Sequence, residues 1–158
     1  MAKMTIKSSG VDASVSSLGV HFSDTARAAV AAGAGVLADA VRQRLEALPS
    51  DENRFLVPGD IFRGVPKEQK QDLLDALGVT PIKQDANLVY NAAVGFDGYG
   101  STPTKTYPQG VPNQLLARSI ESGSSVRIKT PFFRKAMEAS EDAVLEAMQA
   151  EITKLLET

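Results

Sequence analysis

A lone histidine, a group of glycines and a row of carboxylates are the residues of this chain whose types suggest chemistry. His21 is the only histidine, so a Ser-His-Asp hydrolase or an imidazole-based metal site would rest on it alone. It stands between Val20 and Phe22, just before residues able to cap a helix, where a surface or packing role is the simpler reading. Gly95, Gly98 and Gly100 imitate part of a phosphate-binding loop. Their spacing fits neither the dinucleotide nor the P-loop pattern, and no helix start follows, so they read as turn. Glu138, Glu141, Asp142 and Glu146 recur at three- and four-residue spacing in a helical pattern. Carboxylates so placed build di-iron sites only beside a Glu-x-x-His partner, which this chain cannot supply; they read as a solvated face. With no cysteine there is no disulfide and no thiolate metal site. The expectation is a protein that is not an enzyme and carries no cofactor or metal.

Charge is distributed more tellingly than it is totalled. Between Ser101 and Lys135 the bases Lys105, Arg118, Arg127, Lys129, Arg134 and Lys135 face the single acid Glu121, a local balance of +5. From Ala136 onward Glu138, Glu141, Asp142, Glu146, Glu151 and Glu157 face Lys154 alone, a balance of −5. Opposite blocks on one protomer suit copies that meet positive face to negative face around a ring; the alternative is a solvated surface whose signs cluster by chance. A net charge of −2 argues against a general nucleic-acid coat, although Arg127 and Lys129 are placed to touch phosphates nonspecifically if they line a channel.

The elements that must position these residues follow from periodicity and breakers. The length and the 43% hydrophobic content predict one soluble domain with a real core. No apolar run reaches the roughly 18 residues of a membrane helix, and the segment Met1 to Lys7 lacks a signal-peptide core, so no membrane partner is expected. Residues 1–22 read as a flexible arm or a strand that pairs only with a partner, and 23–158 as the single domain. Ser23 or Asp24 would cap a helix running to about Leu48, with Val30, Leu37, Val41, Leu45 and Leu48 on one stripe. Gly33 and Gly35 within it would admit close approach of another backbone. Residues 49–65 read as a loop with one short strand or helical turn.

Pro66 to Leu77 reads as a second helix, with Leu73, Leu74 and Leu77 as its apolar face and Gly78 as a left-handed stop. Asn87 to Phe96 alternates as one half-buried strand, with Leu88, Tyr90, Ala92, Val94 and Phe96 on a common side. Asp97 to Pro112, rich in glycine and proline and carrying Tyr99, Lys105 and Tyr107, is too long for a simple connector and is expected to serve as a docking arm. A short helix over Asn113 to Ser122 then leads through Gly123 and a basic stretch into a long helix. There Thr130 would be the N-cap and Pro131 the first helical residue, with Phe133, Met137, Val144, Met148, Ile152 and Leu155 on the apolar stripe. Phe132, about 100° from Phe133 around the helix, is expected near the rim or in a subunit contact. The fold class expected is α+β, a small mostly antiparallel sheet packed by a long helix in the N-terminal half and a long C-terminal helix.

Three stretches carry a resemblance to a known family: Leu116-Ala117-Arg118-Ser119-Ile120-Glu121-Ser122-Gly123; Lys129-Thr130-Pro131-Phe132-Phe133-Arg134-Lys135-Ala136; and Asp72-Leu73-Leu74 through Gly78 to Val94-Gly95-Phe96. In order and spacing they are similar to the small head-tail joining proteins of long-tailed bacteriophages, variously called neck, tail-completion, tail-terminator or minor tail proteins. The resemblance covers roughly residues 66 to 158. It implies a structural virion protein, made in the host cytoplasm and built into the head-tail junction as a ring of six or twelve copies between connector or head-closure and tail proteins. Contact residues would come from Tyr99, Lys105, Tyr107, Arg127, Lys129, Phe132, Arg134, Glu138, Glu141 and Asp142, with Gly123, Thr130, Pro131 and Phe133 as structural positions. The competing reading is a nucleic-acid-binding accessory protein using the basic segment 118–135.

Overall fold

The computed structural model describes residues 22–50, 59, 61 and 63–157; the expectations for residues 1–21, His21 included, and for 51–58 lie outside them. The element order is α1 (Phe22–Glu46), α2 (Lys67–Ala76), β1 (Leu77–Val79), β2 (Lys83–Gln84), β3 (Tyr90–Asn91), β4 (Val94–Phe96), α3 (Asn113–Ser122) and α4 (Phe132–Leu156). The fold is α+β, with small antiparallel sheets set against helices.

The spine is α1 packed on α4. Each has 25 residues and so runs about 37 Å at 1.5 Å per residue. Val30, Leu37, Val41 and Leu45 of α1 are fully buried, and Leu48 just beyond it is buried too. Facing them, α4 buries Phe133, Ala136, Val144 and Met148, with Met137 and Ile152 partly covered. Close approach occurs at Gly33, where a Cβ would lie 2.8 Å from the Met148 side chain, whereas Gly35 faces a shallow groove beside Pro81. The C-terminus of α1 is closed by Lys70 of α2, whose ammonium donates to the carbonyls of Leu48 (2.6 Å) and Glu46 (3.2 Å). A cation on the last carbonyls satisfies orphan acceptors and complements the helix dipole.

The segment Leu77–Phe96 is a bent β-hairpin, not a helix stop followed by one strand. Helix α2 passes straight into β1 through Leu77, whose backbone is extended (φ −68°, ψ 122°), and Gly78 pairs with Gly95 inside the sheet instead of taking a left-handed turn. The outer rungs run from Leu77↔Phe96 to Val79↔Val94 and the inner ones are Lys83↔Asn91 and Gln84↔Tyr90. Three residues, Thr80 to Ile82, therefore oppose two, Ala92 and Ala93. Such a mismatch breaks a ladder into two, and Pro81 has no N–H to give it. Tyr90, Ala92, Val94 and Phe96 are buried as alternation predicts, but Leu88 is 71% exposed and leaves the expected face because it belongs to the turn.

Candidate subunit-contact surface

The connection from α3 to α4 unites two of the segments on which the family resemblance rests. Ile120 is buried on α3 and its carbonyl accepts the Thr130 N–H at 2.8 Å, which brings the returning chain against the helix end. Gly123, the C-cap of α3, adopts φ 76° and ψ 169°, a region open essentially to glycine. A Cβ there would meet the Lys129 backbone nitrogen at 2.9 Å. Glu121 then reaches across the turn: its carboxylate accepts the N–H of Phe133 at 2.8 Å and that of Arg134 at 3.1 Å. These are first-turn donors without an intrahelical partner, and a carboxylate suits the positive end of the dipole.

The capping role expected of Thr130 therefore falls to Glu121. Helix α4 begins at Phe132, Pro131 is its N-cap residue without a side-chain cap, and the Thr130 hydroxyl donates instead to the Ile128 carbonyl at 3.4 Å. Phe132 is corrected as well, being buried to nearly the same degree as Phe133, with 3% and 2% exposed. Successive helix positions are about 100° apart, but the two rings meet each other at 6.3 Å between centroids and Phe96 of β4 sits against both, at 6.1 and 6.2 Å. Hairpin and helices thus enclose the start of α4 on two sides, and both rings are core.

Arg127 is likewise inside rather than on a channel wall. It is 7% exposed, and its guanidinium donates to the Gly64 carbonyl (3.3 Å) and the Gln69 side-chain oxygen (2.8 Å). It ties the basic stretch to the start of α2, which removes it as a phosphate contact. Its neighbours Val126 and Ile128 are turned outward, both nearly half exposed, and Lys129, Arg118, Arg134 and Lys135 remain exposed.

The Asp97–Pro112 segment is folded back and pinned at its base. The Gly100 N–H donates to Val111, Asn113 donates from its backbone to Gly98 and from its side chain to Asp97, and Tyr99 bridges Pro112. Asp72 of α2 accepts from both the N–H and the hydroxyl of Ser101, at 2.8 and 3.0 Å. At Gly110 (φ 106°) any side chain would overlap the Gly100 carbonyl oxygen. Only the tip projects, with Lys105 exposed in the Thr104–Tyr107 turn and Tyr107 half-buried; Tyr99 at the base is 63% exposed. On α4, Glu138, Glu141 and Asp142 stand on the exposed face opposite the buried stripe. Among the described residues no three His, Asp or Glu side chains gather where they would hold a metal ion, and no helix is long and apolar enough to cross a membrane.

Three features of this surface have no counterpart in the sequence reading. Leu145 lies amid the acidic face, 57% exposed, at helical spacing from Glu138, Glu141 and Asp142. Leu88 holds φ 60° at the hairpin tip. A cleft of about 930 Å³, mostly apolar, opens between the hairpin and α3; Gly78, Gly95, Ala117, Phe132 and Phe133 are among the residues that line it. Leu145 stands off the apolar stripe that runs through Val144 and Met148, in line with its exposure. The cleft arises because the cross-strand pair Gly78↔Gly95 has no side chains, so a Cβ on either would meet open space. No family model, no curated protein and no solved structure matches the chain.

Proposed function

We propose that this chain is a structural component of a bacteriophage virion, placed at the junction of head and tail and working there as a ring of like copies. The observation that carries the reading is the α3–α4 joint. The glutamate, the glycine and the Pro-Phe-Phe start in which the chain resembles head-tail joining proteins are the parts of one device: Glu121 caps α4, Gly123 makes the turn, and Phe132 and Phe133 anchor it. Leu88, Tyr99, Val126, Ile128 and Leu145 are exposed and available to contacts between copies. In this reading the contacts are made by Tyr99, Lys105, Lys129, Arg134 and the acidic face of α4, with Arg127 and Phe132 withdrawn to the interior.

Quantitative mass spectrometry and label-directed imaging of purified phage particles test the reading. The expected result is the chain at the head-tail vertex in six or twelve copies. Its absence from joined particles would overturn the proposal. The nucleic-acid reading keeps Arg118, Lys129, Arg134 and Lys135 but loses Arg127; steeply salt-dependent DNA binding by the purified chain would restore it.

A further inference from the structure

The hairpin tip combines two features that a free monomer does not require. The turn is closed by Asp85, whose N–H donates to the Val89 carbonyl and whose carbonyl accepts the Leu88 N–H, while its carboxylate accepts the N–H groups of Asn87 and Val89. This geometry demands a left-handed residue at position 88, where glycine or asparagine carries no comparable penalty. Leucine stands there instead, held at φ 60° and 71% exposed. A bulky residue at positive φ is an outlier that invites a functional reading.

The same molecule carries a cleft wide enough to take such a side chain. The cleft beside Gly78 and Gly95 is mostly apolar and far larger than one side chain, and its lining combines the rings of Phe96, Phe132 and Phe133 with the charged Arg118, Asp97 and Glu121. Leu88 is not among the residues that line the cleft of its own copy. Both places carry charges of both signs: exposed Asp85 closes the Leu88 turn and exposed Lys83 stands on the adjoining strand, while Arg118, Asp97 and Glu121 are among the residues lining the cleft, so an Asp85–Arg118 and a Lys83–Asp97 pairing are both available to a second copy.

We propose that the hairpin tip of one copy, led by Leu88, seats in the Gly78–Gly95 cleft of a second copy, so that copies associate head to tail. Knob and hole lie on different parts of the surface, so the contact is heterologous, the kind that closes into a ring when the rotation allows. This names the partner of the surface assigned above and rests on the ring reading only for closure.

The chain has no cysteine, which makes site-directed cross-linking clean. Two separately tagged preparations, Leu88→Cys and Gln114→Cys, the latter at the exposed cleft wall, are mixed at high concentration and treated with a short bis-maleimide. The mixed dimer is expected several-fold above the control mixture of Leu88→Cys with Glu138→Cys; equal yields would overturn the proposal. Leu88→Gly and Leu88→Asp, followed by sedimentation velocity, give the second arm. Both should abolish concentration-dependent association, the glycine variant while raising the thermal midpoint, and association unchanged in either would also overturn it. A specific cross-link in a chain absent from virions would sink the head-tail reading alone; a chain found at the vertex with no cross-link there or in solution would sink this inference alone.

Discussion

In the connection between α3 and α4 the residue forced to positive φ is Gly123; at the hairpin tip it is Leu88. Around Gly123 the backbone of Lys129 closes in, Glu121 satisfies the next helix, and Phe132 and Phe133 at the start of that helix are buried. Around Leu88 the turn is hydrogen-bonded just as completely through Asp85, yet the side chain is left outside. The first turn uses the residue its conformation demands and holds the fold together. The second carries a residue its conformation penalises, and the folded chain gains little burial from it. Conformational cost without burial belongs to a surface kept for another purpose.

The largest effects should come from the buried side of the comparison. Phe133→Ala and Phe132→Ala are each expected to lose about 3 to 5 kcal/mol, a large part of a typical stability of roughly 5 to 15 kcal/mol. Urea unfolding measures both. A near-neutral Phe132→Ala, with Phe133→Ala severe, would return Phe132 to the rim and break the account of a two-sided enclosure.

Next is Gly123→Ala. Its backbone conformation alone costs on the order of 1 to 3 kcal/mol in a residue with a side chain, and the Lys129 backbone at 2.9 Å leaves the new methyl no room. Thermal unfolding should show a clear loss; retention of the wild-type midpoint would mean the turn adapts and is not the fixed joint described.

Much of the fold was legible in the sequence, and the failures share a cause. The α1 stripe from Val30 to Leu48 and the α4 stripe from Phe133 to Met148 were readable because helical spacing is local information. So was the burial of Tyr90, Ala92, Val94 and Phe96. What could not be read was set by distant partners. Alternation continued through Leu88, but the bulge at Thr80–Ile82 and the Asp85 turn placed that residue outside. Thr130 had the right type for a cap, and Glu121, nine positions earlier, took the role once the chain folded back. Arg127 looked like part of a basic face until Gly64 and Gln69 came into reach. Of the contact candidates, Tyr99, Lys105, Lys129, Arg134, Glu138, Glu141 and Asp142 are exposed; the cleft was invisible, because two glycines nearly twenty residues apart announce nothing until they pair.

Glu121 offers a smaller and more discriminating effect. Glu121→Ala removes the acceptor for two first-turn N–H groups and should cost about 0.5 to 2 kcal/mol, the range of a lost N-cap. Glu121→Gln keeps one oxygen for Phe133 but not both, so it should fall between alanine and wild type. Denaturation midpoints of the three proteins, in that order, are the check. If glutamine matched alanine, charge at the helix end would matter more than hydrogen-bond count.

The smallest change is predicted at the tip, and its sign carries the comparison. Two terms oppose each other in Leu88→Gly. Glycine relieves a left-handed conformation that costs a leucine roughly 1 to 2 kcal/mol. It also enlarges the unfolded ensemble, which destabilises by roughly 0.5 to 1 kcal/mol. A buried leucine would add a third and larger loss, but this one is 71% exposed, so little apolar burial is forfeited. The balance is a gain of about 0.5 to 1 kcal/mol, or a rise of a few degrees in the thermal midpoint of a domain this size. The matching change at the joint, Gly123→Ala, goes the other way. If Leu88→Gly lowered the midpoint, Leu88 would be contributing packing within its own chain, and the contrast between a turn that serves the fold and a turn that serves a neighbour would fail.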